Sequence, residues 1–207
     1  MKILISIKFI FDKIYKIVPG GFYGFLSVAF ATLGTISAII LFPEYSLLKY
    51  DVSYLANGPG GIFFNIGLIF SGLTAIIFYI YLGRILTDQQ ESNNLKKRAV
   101  VIAIISNCAL SLIGVFPAYP ENILFLIIHG ILAIITFFGT AIFSLFFGLL
   151  FKKNSKFLKI QANLSFFLTI FISFYVAVRW SIIEWITVIL LMVWLSFNSL
   201  YLLYKKY

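Results

Sequence analysis

Six stretches of this sequence are each long and apolar enough to cross a lipid bilayer as a helix. They cover about residues 21–42, 61–82, 99–116, 123–151, 161–178 and 182–204. A helix needs about 20 apolar residues to cross a hydrocarbon layer of about 30 Å, because its backbone N–H and C=O groups must bond to each other there. A barrel would need short segments of alternating hydrophobicity instead. The chain is therefore predicted to be an all-α membrane protein, a bundle of six transmembrane helices.

The positive charges are distributed unevenly around these six stretches. The net charge is +9, and 14 of the 16 lysines and arginines fall on one side of the predicted membrane. They are Lys2, Lys8, Lys13, Lys16, Arg84, Lys96, Lys97, Arg98, Lys152, Lys153, Lys156, Lys159, Lys205 and Lys206. Cytoplasmic loops carry such an excess, so both termini are predicted to lie in the cytoplasm and the chain in the plasma membrane. Because the charges sit in short clusters between apolar runs, they indicate topology, and no nucleic-acid partner is expected.

Residues 1–18 are predicted to form a separate amphipathic helix that lies on the inner surface of the membrane. Its polar and apolar residues occupy opposite halves of a helical wheel, apart from Ile5 and Phe9. Lysines on such a face contact anionic head groups. Lys8 interrupts the apolar stretch, which argues against a signal peptide. This helix either only anchors the chain or also docks a partner, and residues 19–207 are predicted to form the six-helix domain.

Several kinds of chemistry are excluded by residues that the sequence lacks. Cys108 is the only cysteine, so there is neither an internal disulfide nor a cysteine-based metal site. His129 is the only histidine, which excludes a bis-histidine haem site and a three-histidine zinc site. No acidic residue lies in the interior of a predicted span, which argues against an ion-coupled transporter. No catalytic residue, metal or cofactor is predicted, and an enzymatic function is not favoured.

Polar residues of the spans cluster towards the side opposite to the lysines. In the stretch NGPGGIFFN, residues 57–65, a hinge of glycine and proline is followed by Asn65 in the second helix. His129 lies about 9 Å deep in the fourth helix, where a neutral imidazole needs a hydrogen-bond partner, and we expect it to face Asn65. The predicted binding residues are Asn65, Asn107, His129, Tyr175, Arg179 and Glu184. They form either a polar pocket open to the outside or a buried network that fixes helix register, with Arg179 reaching the head groups.

Two sequence blocks resemble a known family. The first is SYLANGPGGIFFNIGLIFSG, residues 53–72, and the second is LIGVFPAYPENILFLIIHGILAIITFF, residues 112–138. They resemble the prokaryotic domain-of-unknown-function family of six-helix membrane proteins that is grouped with the Frag/DRAM/Sfk-like proteins. The matching positions are Ser53, Leu55, Phe64, Asn65, Gly67, Leu68, Ile69, Gly114, Phe116, Pro117 and His129, while Ala56 replaces a commoner glycine. The resemblance implies the six-helix plan and, through eukaryotic relatives linked to lipid handling, a lipid-facing role.

Three functions remain open from the sequence. The favoured one is the binding or handling of a lipid or small amphiphile at an outward-facing polar pocket, which needs a cavity between the outer ends of the second to fifth helices. The second is a structural or accessory subunit of a larger membrane complex, which needs a broad face of small residues open to lipid. The third is an intramembrane hydrolase, which needs a serine hydroxyl within hydrogen-bonding reach of His129. The expected partners are membrane lipids and, for the second function, another membrane protein.

Overall fold

A computed structural model describes residues 11, 13–86 and 93–206 of the chain. Its long helices are α1 (Gly20–Ile40), α2 (Gly61–Ile85), α3 (Asn93–Val115), α4 (Ile123–Lys153), α5 (Lys159–Val178) and α6 (Ser181–Tyr204). A 3-10 helix, Val52–Asn57, lies between α1 and α2, and no strand is present among the described residues. All six α-helices are long and apolar enough to cross a membrane. The prediction of an all-α bundle of six membrane helices is confirmed.

Proline, glycine and asparagine residues mark where several helices begin. Pro19 precedes α1 and Gly60 precedes α2. The side-chain oxygen of Asn122 caps α4, because it accepts hydrogen bonds from the backbone N–H groups of Leu124 and Phe125, both at 3.2 Å. The first turn of a helix leaves these N–H groups without a partner inside the helix. The starts of these helices are therefore encoded locally.

The six helices form a closed ring. Each packs against the next helix in the chain, and α6 closes the ring against α1. Small residues allow the close contacts that this requires. At Gly34 of α1, for example, an added Cβ atom would lie only 2.7 Å from the carbonyl oxygen of Phe63 and 2.9 Å from the Cα atom of Gly67. A ring of six helices leaves space along its axis wherever large side chains do not fill it.

The two ends of the ring differ in charge. The basic end carries the first residues of α1, α3 and α5 and the last residues of α2, α4 and α6, with their clusters of lysine and arginine. The opposite end is the acidic end. Its charged residues are Glu44, Lys49, Asp51, Glu121, Arg179 and Glu184. The helix order separates the two sets of charges, and the placement of the basic end in the cytoplasm stays a prediction.

Aromatic side chains fill the axis of the ring in its basic half. Trp194 is 1% exposed, and its ring lies between 6.1 and 6.4 Å from the rings of four other aromatic residues. These residues are Tyr79, Phe143, Phe147 and Phe151. Each of the four is at most 1% exposed. Such aromatic pairs add to the free energy that burial of their area supplies, so this half has a dense core.

A polar network joins α5 and α6 within the same half. Gln161 donates from Nε2 to Oδ1 of Asn198 at 2.8 Å, and Trp194 donates from Nε1 to Oγ of Ser165 at 2.7 Å. The remaining Gln161 oxygen accepts the backbone N–H of Leu158 at 2.8 Å, and Nδ2 of Asn198 donates to the carbonyl oxygen of Trp194 at 2.8 Å. The amide groups of this buried network are therefore satisfied, which is the condition for such a network to stabilise a core.

The loop between α1 and α2 folds over the acidic end. Val52 and Leu55 of its 3-10 helix pack in one cluster with Trp185 of α6. The hydroxyl of Tyr45 donates to the carbonyl oxygen of Asp51 at 2.8 Å and accepts from Nε1 of Trp185 at 3.1 Å. Burial raises the pKa of Tyr45, so its hydroxyl keeps the proton that it donates. Packing and hydrogen bonds therefore tie this loop to α6.

Most of the predicted interfacial helix, residues 1–10 and 12, lies outside the described residues. Residues 13–17 are helical. Within them, the hydroxyl of Tyr15 donates to the carbonyl oxygen of Ile77 at 2.8 Å, and its ring lies 4.8 Å from the ring of Tyr81. This stretch therefore contacts α2 at the basic end. The interfacial helix and the division at residue 18 stay predictions.

Candidate functional site

A cavity of about 290 Å³ lies on the axis of the ring and reaches from the acidic end into its middle. All six helices contribute to its wall, together with residues 51–53 of the loop. On α4 the lining residues run from His129 to Phe143, which is about 21 Å of helix at 1.5 Å per residue. The cavity is therefore long and narrow. Its volume is close to the lower limit for sites that bind small ligands, about 300 Å³.

The wall of this cavity changes along its length. Its floor is made by Tyr79, Phe143 and Leu195, which belong to the aromatic core of the basic half. Nearer the acidic end the wall carries charged and polar side chains. These are Asp51, Asn107, His129, Tyr175, Arg179, Glu184 and Thr187. The cavity thus has a charged and polar end and an apolar floor, and hydroxyl side chains such as Ser71, Ser106 and Thr136 line its middle.

Two carboxyl groups meet at the polar end. Glu184, in the first turn of α6, is only 4% exposed, and its Oε2 accepts the backbone N–H of Val52 at 3.2 Å. The side chains of Tyr175 and Asp51 lie beside the Glu184 carboxyl group and interact with it electrostatically. Asp51 in turn accepts a hydrogen bond at Oδ1 from Oγ of Ser181 at 2.6 Å. The fold of the loop therefore brings an aspartate to a glutamate that lies 133 residues later in the chain.

Arg179 stands at the same end, where α5 turns into α6. Its backbone has a left-handed φ of 55°, and its N–H donates to the carbonyl oxygen of Tyr175 at 2.8 Å. Only two residues separate α5 from α6, so this reversal is tight. The Arg179 side chain is exposed and borders the cavity. Among the described residues it forms no ion pair with an acidic side chain.

His129 faces the end of α3. Its Nδ1 lies 3.0 Å from the carbonyl oxygen of Phe116. A carbonyl oxygen only accepts, so Nδ1 carries the proton, and Nε2 of the neutral imidazole is left as an acceptor. Within the described part of the chain, no serine hydroxyl is hydrogen-bonded to His129. The imidazole is therefore held by the backbone, and it presents an acceptor to the cavity that it lines.

The two asparagines of the prediction are placed differently. Asn107 lines the cavity, with its Nδ2 donating to the carbonyl oxygen of Ala103 at 2.8 Å. Asn65 is buried but does not line the cavity, and it forms no hydrogen bond to His129; its Oδ1 has no partner among the described residues. The imidazole proton goes instead to the carbonyl oxygen of Phe116, 3.0 Å from Nδ1. In addition, α2 packs closely on α3 here, since a Cβ atom at Gly114 would lie 2.4 Å from the Asn65 carbonyl oxygen.

The cavity opens to the surface of the ring beside Gly130 of α4. Gly130 is exposed, lines the cavity, and has no atom within 4 Å of the position that a Cβ would occupy. Ile134, one turn further along, also lines the cavity and is 47% exposed. Tyr175 and Arg179 of α5 line the cavity as well. The mouth therefore lies between α4 and α5 at the acidic end.

Two polar residues of the wall, Asp51 and Thr187, were not among the predicted ones. Thr187 is 2% exposed, and its Oγ1 has no hydrogen-bond partner among the described residues. It follows Glu184 by three residues on α6, a spacing that places two side chains on one face of a helix and could have identified it. Asp51 lies in a loop, where helical periodicity gives no such signal. Among the described residues no three His, Cys, Asp or Glu side chains converge to hold a metal ion.

No curated protein and no solved structure matches the chain. The family described as Protein of unknown function (DUF998) matches residues 25–200. This range contains all of α2, α3, α4 and α5 and most of α1 and α6. It therefore contains every residue that lines the cavity. The chain belongs to this DUF998 family of proteins of unknown function.

Proposed function

We propose that this protein binds a lipid or a small amphiphile in the cavity of the ring. The main support for this proposal is the wall of the cavity, which is charged and polar near the acidic end and aromatic at its floor. A molecule with a polar group and an apolar chain matches this arrangement in one orientation only. The mouth beside Gly130 supports the proposal, because a chain can enter there between α4 and α5 without crossing the ring.

The position of the small residues favours this function over that of an accessory subunit. A subunit would present a broad face of small residues to a partner. The sequence has stripes of small and polar residues, at every third or fourth position, on α1, α2, α3 and α5, and the first three of these stripes point into the ring instead. Their buried members are Ser27, Gly34, Ala38, Gly67, Ser71, Ala75, Ala103, Asn107, Ser111 and Gly114. Only the stripe of α5 is partly exposed, at Ser173 and Ala177, and the remaining outer surface carries mainly large apolar side chains.

A hydrolase has less support. Such an enzyme would need a serine hydroxyl close enough to give its proton to His129. In the described residues the hydrogen bond of His129 goes to the Phe116 carbonyl. Ser106, one of the serines of the wall, donates to the carbonyl oxygen of Ile102 at 2.8 Å. Nothing in the cavity therefore pairs a nucleophile with its base.

The finer relationship, to the Frag/DRAM/Sfk-like proteins, is part of the proposal. Its support is the pair of sequence blocks, residues 53–72 and 112–138. Both blocks contribute to the wall of the cavity, through Ser53 and Phe64 in the first and His129 in the second. If the members of a family share a ligand site, their common sequence motifs should line that site. A role in lipid handling follows from this relationship only as a proposal.

The test of the proposed function is native mass spectrometry of the protein purified in a mild detergent. Ala133 lines the cavity and is half-buried, so Ala133→Leu should occupy the space that a ligand chain needs. Ala177 is exposed outside the cavity, and Ala177→Leu makes the same change there. We expect bound lipid on the wild type and on Ala177→Leu, and a loss of most of it from Ala133→Leu. Equal lipid on all three proteins would contradict binding inside the cavity.

We also propose that the protein lies in the plasma membrane with its basic end facing the cytoplasm. Both termini are then inside the cell, and the mouth of the cavity lies near the outer surface. The excess of positive charge at that end supports this orientation. With Cys108 replaced by serine, a cysteine at the exposed Tyr119 should react with an impermeant thiol reagent from outside. A cysteine at the exposed Asn94 should not. Labelling of Asn94→Cys and not of Tyr119→Cys would show that the orientation is the reverse of the proposed one.

A further inference from the structure

The polar end of the cavity has more negative than positive groups close to its buried carboxyl. Asp51 lies beside Glu184, and no cationic side chain of the described residues forms an ion pair with either. Arg179 lies at the mouth, where it is exposed. Glu184 is buried beside the exposed Asp51, and a positive charge near both would favour the ionised form of the buried carboxyl group. A cationic group of a ligand could supply that charge.

A second observation points to a ligand at the same place. Thr187 lies three residues after Glu184 on α6 and lines the cavity, and it is 98% buried because only 2% of its surface is exposed. A threonine in a helix commonly bonds to the carbonyl oxygen four residues earlier, but Oγ1 of Thr187 has no partner among the described residues. A buried hydroxyl without a partner is costly. Its presence in the wall is explained if a bound molecule supplies that partner.

The other titratable and polar groups that line this end of the cavity are mostly acceptors. The neutral His129 on α4 offers Nε2, since its Nδ1 proton is used by the Phe116 carbonyl. The carboxyl groups of Asp51 and Glu184 come from the loop and from α6, and the hydroxyl of Tyr175 comes from α5. A primary ammonium group has three N–H donors, one positive charge and no acceptor. It complements this set, whereas a quaternary ammonium lacks the donors and an anion has the wrong charge.

We propose that the ligand of the cavity is an amphiphile with a primary ammonium group, which Asp51 and Glu184 bind while its chain extends towards Tyr79 and Phe143. This inference rests on the proposed function. It adds the chemical class of the polar group. The alternative is an anionic amphiphile held by Arg179 at the mouth.

The test compares single-chain amphiphiles of equal length by their affinity for the purified protein in maltoside micelles, measured by native mass spectrometry. The probes are dodecylamine, dodecyltrimethylammonium, dodecanoate and the uncharged dodecanol. Charged hydrogen bonds of this kind change affinity by about tenfold or more. We therefore expect dodecylamine to bind at least about tenfold more tightly than the other three. Ethylamine and sodium chloride, which lack the chain, should not displace it.

Two glutamate variants assign the effect to the cavity. Glu184→Gln keeps the shape of the side chain and an oxygen for the Val52 N–H, but removes the charge. We expect it to lose the preference for dodecylamine while it binds dodecanol as the wild type does, which also shows that the variant is folded. Glu121 is an exposed acid at the same end outside the cavity, so Glu121→Gln should keep the preference.

The other outcomes separate the two proposals. If all four amphiphiles bind equally well, the proposed function stands and the ammonium inference is wrong. Tightest binding of dodecanoate, lost in Arg179→Gln, would assign the polar group to an anion and overturn the inference. Displacement of dodecylamine by ethylamine or sodium would make this a plain cation site and overturn it too. If no amphiphile binds the wild type, the proposed function itself fails.

Discussion

The basic half and the acidic half of the ring are made by the same six helices, but their axes are filled differently. In the basic half, Trp194 and Phe147 are 1% and 0% exposed in a continuous aromatic core, and the polar network of Gln161 and Asn198 is satisfied. In the acidic half the axis is a cavity of about 290 Å³, and the hydroxyl of Thr187 has no partner among the described residues. The first half has the features of a stable core and the second has those of a site.

The size of the cavity gives weight to this difference. An empty closed cavity of 290 Å³ would cost on the order of 7 kcal/mol at the rate known for truncated protein cores. That is comparable to the whole free energy of unfolding of many domains. The cavity has a mouth, so lipid or water can fill it and lower this cost. The dense basic half then supplies stability that the acidic half does not.

The largest difference in stability between the two halves should appear when a leucine is truncated to alanine in each of them. Leu202 is fully buried in the basic half, while Leu191 is half-buried and lines the cavity. Leu202→Ala should lower the free energy of unfolding by about 2–5 kcal/mol, because a new void forms in a dense core. Leu191→Ala should cost less than half as much, because its methyl groups already border a space. Thermal unfolding in detergent measures both, and equal losses would remove the distinction between the halves.

The next effect concerns buried polar groups. Asn198→Leu leaves Nε2 of Gln161 without its acceptor in the basic half, and should cost about 1–3 kcal/mol. Thr187→Val removes a hydroxyl that has no partner among the described residues, so stability without ligand should change by less than about 0.5 kcal/mol. A large loss from Thr187→Val would mean that its hydroxyl is bonded within the protein. Chemical unfolding of the two variants decides this.

Two glycines of α4 sharpen the comparison within one helix. A Cβ atom at Gly148, in the basic half, would lie 2.8 Å from the ring of Phe166 and 3.1 Å from the Cβ of Ser165. Gly148→Ala should therefore destabilise by about 1–3 kcal/mol through overpacking. Gly130→Ala meets no atom at the mouth and should be neutral or stabilise by up to about 1 kcal/mol, since alanine favours the helix. Unfolding temperatures in the reverse order would contradict the position of the mouth.

The smallest effect is expected at the loop that covers the cavity. Tyr45→Phe removes the hydroxyl that joins Trp185 to the Asp51 carbonyl, and should cost about 0.5–1.5 kcal/mol at neutral pH. Burial raises the pKa of Tyr45 above that of the unfolded chain, about 10. The stabilisation is therefore complete below about pH 10 and falls as the pH rises further. Unfolding curves should show a gap between wild type and variant at neutral pH that closes at strongly alkaline pH, and a constant gap would refute this origin.

The parts of the molecule that the sequence predicts are those with local signals. The six helices follow from apolar length, and the short turn at Arg179 places Tyr175 and Glu184 close together because two residues leave the chain no other path. Contacts between distant segments carry no such signal. The partner of His129 is the backbone carbonyl group of Phe116. Every residue has such a group, so the sequence does not single out this partner, and a side-chain amide such as that of Asn65 was the natural expectation.

The same reason explains the polar residues that sequence reasoning missed. Gln161 and Asn198 are 37 residues apart on neighbouring helices, and their bond depends on the register of α5 against α6. Asp51 reaches Glu184 only because the 3-10 helix folds back over the ring. Periodicity along one helix predicts which face is buried, but it does not predict which residue of another element that face meets.

The most direct measurement is photo-crosslinking with a single-chain alcohol that carries a diazirine at the end of its chain. If the polar group binds at the acidic end, the diazirine should label the floor of the cavity, at Tyr79, Phe143 or Leu195. Excess unlabelled dodecanol should suppress this labelling, and Ala133→Leu should abolish it. Labelling confined to outward-facing residues such as Ile131 and Ile189, with no response to the competitor, would contradict a ligand inside the ring.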